Sequence, residues 1–427
     1  MSQAPDLPAP LRHDPYAPLR IASFRWFVAS ILAMAMGAQI QGVVVAWQMY
    51  AVTHDPLALG MVGLAEAAPF ITLALYAGHL ADVLDRRRVA LAALAVLFAC
   101  SLALAVASHV FIGRGRSGQG IRWAIYGVIV ICGGARSFLL PARNALGADL
   151  VPRPLYPSAV AWRTGIWQVA AVSGPALGGI FYAWLGATPS YAIAAALMAT
   201  SLGTVAKIRP APRPPVVRAE TLIASVRAGL AFLWTRPIFM GAITLDLLAV
   251  LFGGAVALLP IFAQDILHVG PRGLGALRAA PAVGAVLMSG VLALRPPPGR
   301  AGRTFLTAVA VFGLFTIAFG LSRWFWLSLA MLAAGGAADM LSVYFRSTLM
   351  QVLAPSGMLG RISAVNQIFI GSSNEIGAFE SGVAAKLLGT VPSVVLGGTI
   401  TIAVTLATAW RAPALARLDR LEQQEPS

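Results

Sequence analysis

Charge is what this sequence most lacks. Asp, Glu, Lys and Arg make up 11% of its 427 residues, whereas a soluble domain uses about 25% to solvate its surface. A chain this long is not all core, so the shortage excludes an ordinary soluble protein and leaves lipid as the solvent for most of the surface. Cysteine is nearly absent too. Cys100 and Cys132 both lie inside apolar runs, which gives no metal spacing and no disulfide framework. The five histidines form no HExxH pair and fall near helix ends or tails. There is no Walker A pattern, so no ATPase is expected in these residues. GRGRSG at 113–118 matches GxGxxG, but it sits between two apolar runs with no strand before it and reads as a turn. Neither an enzyme activity nor a cofactor nor a metal is expected.

What is abundant is apolar. The chain is 58% hydrophobic, with 42 glycines and 28 prolines and a mean hydropathy of +0.79. So much Gly and Pro suits membrane helices, where close packing and kinks are tolerated. The net charge of +15 invites a nucleic-acid reading. The basic residues, however, occupy short stubs between apolar runs, the pattern of membrane topology and not of a phosphate-binding face. Arg greatly outnumbers Lys, which reflects base composition.

A membrane helix needs about 20 apolar residues. Runs of that kind fall at 24–50, 57–80, 88–111, 121–145, 158–185 and 189–207, then at 237–263, 271–294, 302–322, 324–350, 361–389 and 391–411. An all-α membrane protein of about twelve spans is therefore expected. Its parts are a tail at 1–23, a six-helix bundle at 24–207, a linker at 208–236, a second bundle at 237–411 and a tail at 412–427. The first twenty or so residues are Pro-rich and have no h-region, so no cleaved signal peptide is expected. The linker opens with RPAPRPPVVRAE and continues as TLIASVRAGLAFLWTR, which reads as an amphipathic surface helix. Alternate loops carry about twenty Lys and Arg on one side, the side of the linker and both tails. The other side carries Arg114, Arg116, Arg122, Arg272 and Arg323 only. By the positive-inside rule, both termini and the linker are expected in the cytoplasm.

The halves also repeat. GLAEAAP at 63–69 returns as GALRAAP at 275–281, with Gly78 aligned to Gly290. GGARSF at 133–138 returns as GGAADM at 335–340, and Val-Pro at 151–152 is echoed by Ala-Pro at 354–355. A duplicated six-helix unit predicts parallel repeats with a site at their interface near mid-membrane, a transporter plan.

Several motifs carry a family resemblance. GHLADVLDRRR, Gly78 to Arg88, resembles the loop signature of the major facilitator superfamily: Gly78 for close helix contact, Asp82 to accept from a helix end or an Arg, and Arg86, Arg87 and Arg88 at the turn. It departs from the common pattern at Val83 and Asp85, which leaves the pairing across this gate open. Topology alone would also account for the basic cluster. SGPALGG, Ser173 to Gly179, resembles the Gly-Pro motif of proton-driven exporters, with Gly174, Pro175, Gly178 and Gly179 forming a pliable contact; plain helix packing is the other reading. GGARSFLLPARNALGADLVP at 133–152, LDLLAVLFGGAVALLPIFA at 245–263 and MLGRISAVNQIFIGSSNEIGAFESG at 358–382 are together similar to the enterobactin-exporter-like, or transmembrane secretion effector, branch of that superfamily. The resemblance implies a multi-pass protein of a bacterial inner membrane that acts as a monomer among membrane lipids. It also implies proton-driven export of a small amphipathic, siderophore-like molecule. Multidrug or macrolide efflux, a lysophospholipid flippase and a non-transporting scaffold are the alternatives.

Ionisable groups at membrane depth cost a few kcal/mol, ~2.5–3.5 at a helix centre, unless paired or facing water. The acids are Glu66, Asp246, Asp339, Glu375 and Glu380; the bases are Arg136, Arg143, Arg163, Arg278, Arg346 and Lys386. Arg136 and Arg143 are seven apart, as are Asp339 and Arg346, so each pair shares a helix face. In the family the resemblance names, the first, fourth, seventh and tenth helices line the cavity, which would bring Arg136, Asp246 and Asp339 to its wall. Asp246 or Asp339 is the expected proton carrier, with Glu66, Glu375 and Glu380 as alternatives; a static buried ion pair is the competing reading for each. Gln39, Gln41, Trp47, Asn366 and Gln367 would shape a polar, aromatic pocket or serve only as helix contacts.

Overall fold

Two helix starts in the first half carry an identifiable local signal in the sequence, Asp55 and Asp85. The computed structural model describes residues 14–113, 118–209, 231, 237–295, 301–353 and 359–416. These hold twelve long helices and no strand: α1 Ala22–Thr53, α2 Pro56–Val83, α3 Arg86–Gly113, α4 Gly118–Asp149, α5 Tyr156–Leu185, α6 Ala187–Ala206, α7 Pro237–Phe252, α8 Gly270–Leu294, α9 Ala301–Leu321, α10 Phe325–Leu353, α11 Leu359–Leu388 and α12 Thr390–Arg411. Asp55 caps α2 by accepting from the Leu57 N–H at 3.1 Å, with Pro56 in the first turn. Asp85 caps α3, its Oδ1 accepting from the N–H groups of Arg87 and Arg88 at 2.8 and 3.2 Å. The Asp that departs from the usual loop signature thus begins a helix.

The duplication is visible in the turns. Gly186 between α5 and α6 has φ +80°, and Gly389 between α11 and α12 has φ +91°. His54 after α1 and His268 before α8 also have positive φ, 47° and 52°. Only Gly adopts such backbone freely, so the paired glycines mark the same tight turn in each half.

Packing repeats as well. In the first half α2 packs on α4, α3 on α4 and α6, and α1 on α5 and α6. In the second half the equivalents do the same: α8 on α10, α9 on α10 and α12, and α7 on α11 and α12. The halves meet through α2 against α11 and α5 against α8. The repeated Gly-rich segments lie at matching contacts. A Cβ on Gly133 would come 2.9 Å from Pro69 Cγ, and one on Gly336 would strike the Pro281 backbone.

Eleven helices among the described residues are long and apolar enough to cross a membrane. The twelfth, α11, is more polar, with Asn366, Gln367, Asn374 and Glu375 along its middle. The surface fits lipid: Leu294, Leu387 and Leu406 are exposed. Exposed Trp123, Trp184, Trp324 and Trp326 cluster at helix ends on one side, and Trp26 and Trp410 lie near helix ends on the other, as interfacial aromatics do.

Three apolar cores organise the bundle. One spans both halves at the end opposite the termini, joining Val43, Tyr50 and Leu59 to Leu258, Phe262, Leu274 and Phe319. At the other end the halves have separate cores, one around Phe24, Phe27 and Leu94 and the other around Leu245, Phe305 and Phe345. The seventh expected segment, 237–263, is not one helix. After Phe252 the chain passes through Gly253 and Gly254 into a 3-10 turn, Ala255–Leu258, and ends in a π turn, Phe262–Ile266. The expected linker helix and the outer parts of both tails lie outside the described residues.

Candidate functional site

Between the halves lies a cavity of about 790 Å3. Its walls come from α1, α2 and α4, with Leu97 of α3, Trp167 of α5 and Met198 of α6, on one side and from the broken α7, α8, α9, α10 and α11 on the other. The break in α7 brings the backbone of Gly253 to Ala257 to the wall. Non-helical backbone is tolerated at this depth only where protein or a cavity replaces lipid. Here Ser381 donates to the Gly254 carbonyl at 3.3 Å.

Apolar and aromatic side chains, among them Met34, Phe70, Trp167, Phe312, Phe315, Phe319 and Met331, make up most of the lining. Six charged groups interrupt it: Glu66, Arg136, Arg143, Arg278, Asp339 and Glu375. Arg136 on α4 pairs with Glu66 on α2. Arg278, which stands in GALRAAP where Glu66 stands in GLAEAAP, reaches across the halves and donates to the Gly42 carbonyl on α1 at 3.2 Å. Glu375 lies within electrostatic reach of Glu66, Arg136 and Arg278, so two acids and two bases form one balanced cluster. Asp339 has no ion pair or hydrogen bond to any described residue. Arg143 has no acid partner among the described residues either; there its Nη1 meets only the Met34 sulfur, at 3.6 Å.

The remaining expected residues fall elsewhere. Asp246 and Arg346 pair with each other, are 6% and 5% exposed, and are not on the wall. For Asp246 the helix face differs from the expectation, because α7 turns this residue toward α10 inside the second half. Glu380 is half-buried and off the wall. Gln39 and Gln41 reach the wall, and Gln41 accepts from Ser101 at 2.6 Å. Trp47 instead packs edge-on against Tyr182. The side chains of Asn366 and Gln367 lie outside the described residues.

In the loop motif, Arg86 donates to both carboxylate oxygens of Asp149 at 2.8 Å, tying α3 to the end of α4. Arg87 donates to the carbonyls of Val205 and Ala206 at the end of α6. Gly78 lies in the last turns of α2; the side chain of Asp82 is outside the described residues. In the α5 motif, Cβ atoms on Gly174 and Gly178 would meet Gln39 and Ile40 of α1, and one on Gly179 would lie 2.9 Å from the Gly275 Cα of α8. Pro175 turns its carbonyl to the same place: a Cβ on Gly275 would be 2.6 Å from it. This motif is therefore a three-helix contact that includes one of the two seams between the halves.

The end opposite the termini, where one apolar core joins the halves and seals the cavity, carries ties whose partners Tyr50, Asp55, Asp265 and Trp184 the sequence did not single out. Tyr50 donates to Asp265, Lys386 pairs with Asp55 at 3.1 Å, and Arg272 stacks over Trp184 at 5.2 Å. Each joins one half to the other. The available signal was acids, Asp55 and Asp265, in short loops on the side poor in basic residues.

This geometry agrees with the similarity to known proteins. The sequence profile described as transmembrane secretion effector matches residues 13–426. The chain belongs to that family. As a member of the transmembrane secretion effectors, a major-facilitator-type group, it is a multi-pass membrane transporter. It is 29% identical over 366 residues to the enterobactin exporter EntS of Citrobacter koseri, covering 84% of each chain, and 28% identical, with the same coverage, to that of Shigella boydii. Among solved structures it resembles a bacterial homologue of the iron transporter ferroportin in an inward-facing state, with TM-score 0.72, 16% identity, and 93% and 99% of the two chains covered. A POT family transporter bound to a thioalcohol-conjugated peptide matches with TM-score 0.70 at 14% identity, over 92% and 96% of the chains. At these identities the structures speak for the fold.

Proposed function

We propose that this protein exports a small amphipathic molecule across a bacterial inner membrane, driven by protons entering in exchange. It would work by alternating access between the bundles at 24–207 and 237–411. The observation that carries this reading is Asp339, a carboxyl group on the wall of a cavity sealed at one end, with no partner among the described residues. Such a group is free to exchange a proton with whichever side the cavity faces, as coupling by alternating access requires. The Lys and Arg bias supports a cytoplasmic position for both termini, and with them for the unsealed end. The likeness to enterobactin exporters supports export, with siderophore-like compounds as the first class to test. Both walls come from one chain, so a monomer suffices.

Asp339 is the first proton carrier in this reading. Glu66 and Glu375 share two arginines, Arg346 holds Asp246 away from the cavity, and Glu380 is off the wall. The test uses inside-out vesicles loaded with a pH-sensitive dye, energised, and given siderophores and hydrophobic antibiotics in turn. Proton efflux that depends on one class and is lost in Asp339→Asn supports the proposal and names that class. Undiminished coupling in Asp339→Asn removes Asp339 as carrier, and no response to any compound from folded protein removes proton-driven export of these classes.

A further inference from the structure

Arg143 stands apart from every other charge in the cavity. It lies on α4 at the wall. Its guanidinium is 5.7 Å from the ring centre of Trp167, and its buried Nε has no hydrogen-bond partner among the described residues. Its one polar contact among the described residues is the Met34 sulfur at 3.6 Å, a weak acceptor, although a guanidinium presents five N–H donors. The charged neighbour that acts on it is a second cation, Arg163. That residue donates to Asn144 Oδ1 at 2.7 Å and lies over the Phe27 ring at 5.8 Å, with no acid partner among the described residues. A buried charge with unfilled donors is costly unless something supplies acceptors. The wall acids do not: Glu66 is taken by Arg136, Glu375 sits with Arg136 and Arg278, and Asp339 belongs to the other half.

Resting on the reading of this cavity as the transport site, we infer that Arg143, Trp167 and Met34 form a subsite for an oxygen anion carried on a flat apolar group. The guanidinium edge would take the anion in paired hydrogen bonds. The Trp167 ring, which the guanidinium already faces, and the Met34 thioether would take the apolar face, since aromatic and sulfur contacts suit a flat ring. Asp339 across the cavity would disfavour a second anionic group there, so the preferred cargo has one acidic end.

Three matched probes test this: 2-naphthoate, its neutral isostere 2-naphthamide, and the cation 2-naphthylmethylammonium. Each is titrated against the purified full chain in detergent, and binding is read as the rise in Tm with concentration. The expected result is that naphthoate binds tightest. Arg143→Gln should weaken naphthoate about tenfold, or ~1.4 kcal/mol, without changing naphthamide. Arg143→Lys should keep part of the preference, and Trp167→Ala should weaken naphthoate and naphthamide together. Unchanged naphthamide binding also shows that Arg143→Gln is folded. Naphthamide or the cation binding as tightly as naphthoate overturns the inference, as does binding of no probe, or a preference that survives Arg143→Gln. Because this assay has no proton gradient, Asp339→Asn should still bind naphthoate even where its transport is lost, which separates failure of the subsite from failure of proton coupling.

Discussion

Gly60 of α2 and Gly382 of α11 touch across the boundary between the halves: a Cβ on Gly382 would lie 2.7 Å from the Gly60 Cα. Gly179 and Gly275 make the corresponding contact between α5 and α8. These two seams lie at the end that both halves share as one core. Backbones this close leave no room for a side chain, so the sealed end depends on these four glycines.

Gly382→Val should therefore favour the opposite arrangement. Overpacking costs roughly 1–3 kcal/mol, enough to shift the ratio of the two arrangements about 5- to 150-fold. Spin labels on the sealed-end turns of α2 and α11, measured by double electron–electron resonance, should show a longer distance populated in the variant. An unchanged distribution from folded protein would mean the seam adapts and does not set the equilibrium.

The polar ties at the sealed end should differ in weight. Lys386 and Asp55 have side chains 53% and 32% exposed, and exposed pairs contribute roughly 0–1 kcal/mol. Tyr50 is buried and donates to a carboxylate, a bond worth ~1.5 kcal/mol or more. Tyr50→Phe should thus speed labelling of a cysteine placed at Ala38, from the sealed side, more than Lys386→Ala does. Cys100→Ala with Cys132→Ala provides the background. Equal effects of the two changes would contradict this ranking.

Asp246 and Arg346 form a buried tie between α7 and α10, and their exchange for apolar residues separates structure from coupling. Asp246→Ala leaves a buried cation and should cost about 3–5 kcal/mol of stability, read as a lowered Tm. The double variant Asp246→Leu with Arg346→Met should recover most of that loss, because an apolar pair replaces an ion pair at little cost. It should also retain proton-coupled transport. Loss of coupling with Tm restored would return Asp246 to the proton path.

The helices were legible because spanning lipid imposes a length and a composition that no other constraint overrides. The exception is the seventh. Its apolar run continues past Phe252, and hydropathy does not register that Gly253 and Gly254 break the helix to line a cavity. The duplicated segments GLAEAAP and GALRAAP marked the repeat, but not that Glu66 and Arg278, at matching positions, do different work. One pairs within its half and the other bridges the halves. A seven-residue spacing put Asp339 and Arg346 on one face of α10, yet Arg346 turns to Asp246 while Asp339 meets the cavity. A helix face is about a third of the circumference, and which edge of it meets a neighbour depends on packing.

The sequence by itself determined the class of solvent, the number of membrane-spanning segments, the duplication and the family. These follow from local composition and from patterns repeated along one chain. Only the tertiary structure decided which charges neutralise one another, which end of the bundle is sealed, and that Arg143 and Asp339 face the cavity with no ion-pair partner among the described residues. Those facts depend on distances between helices far apart in sequence, and a charge at membrane depth costs the same to read whether its partner is present or missing.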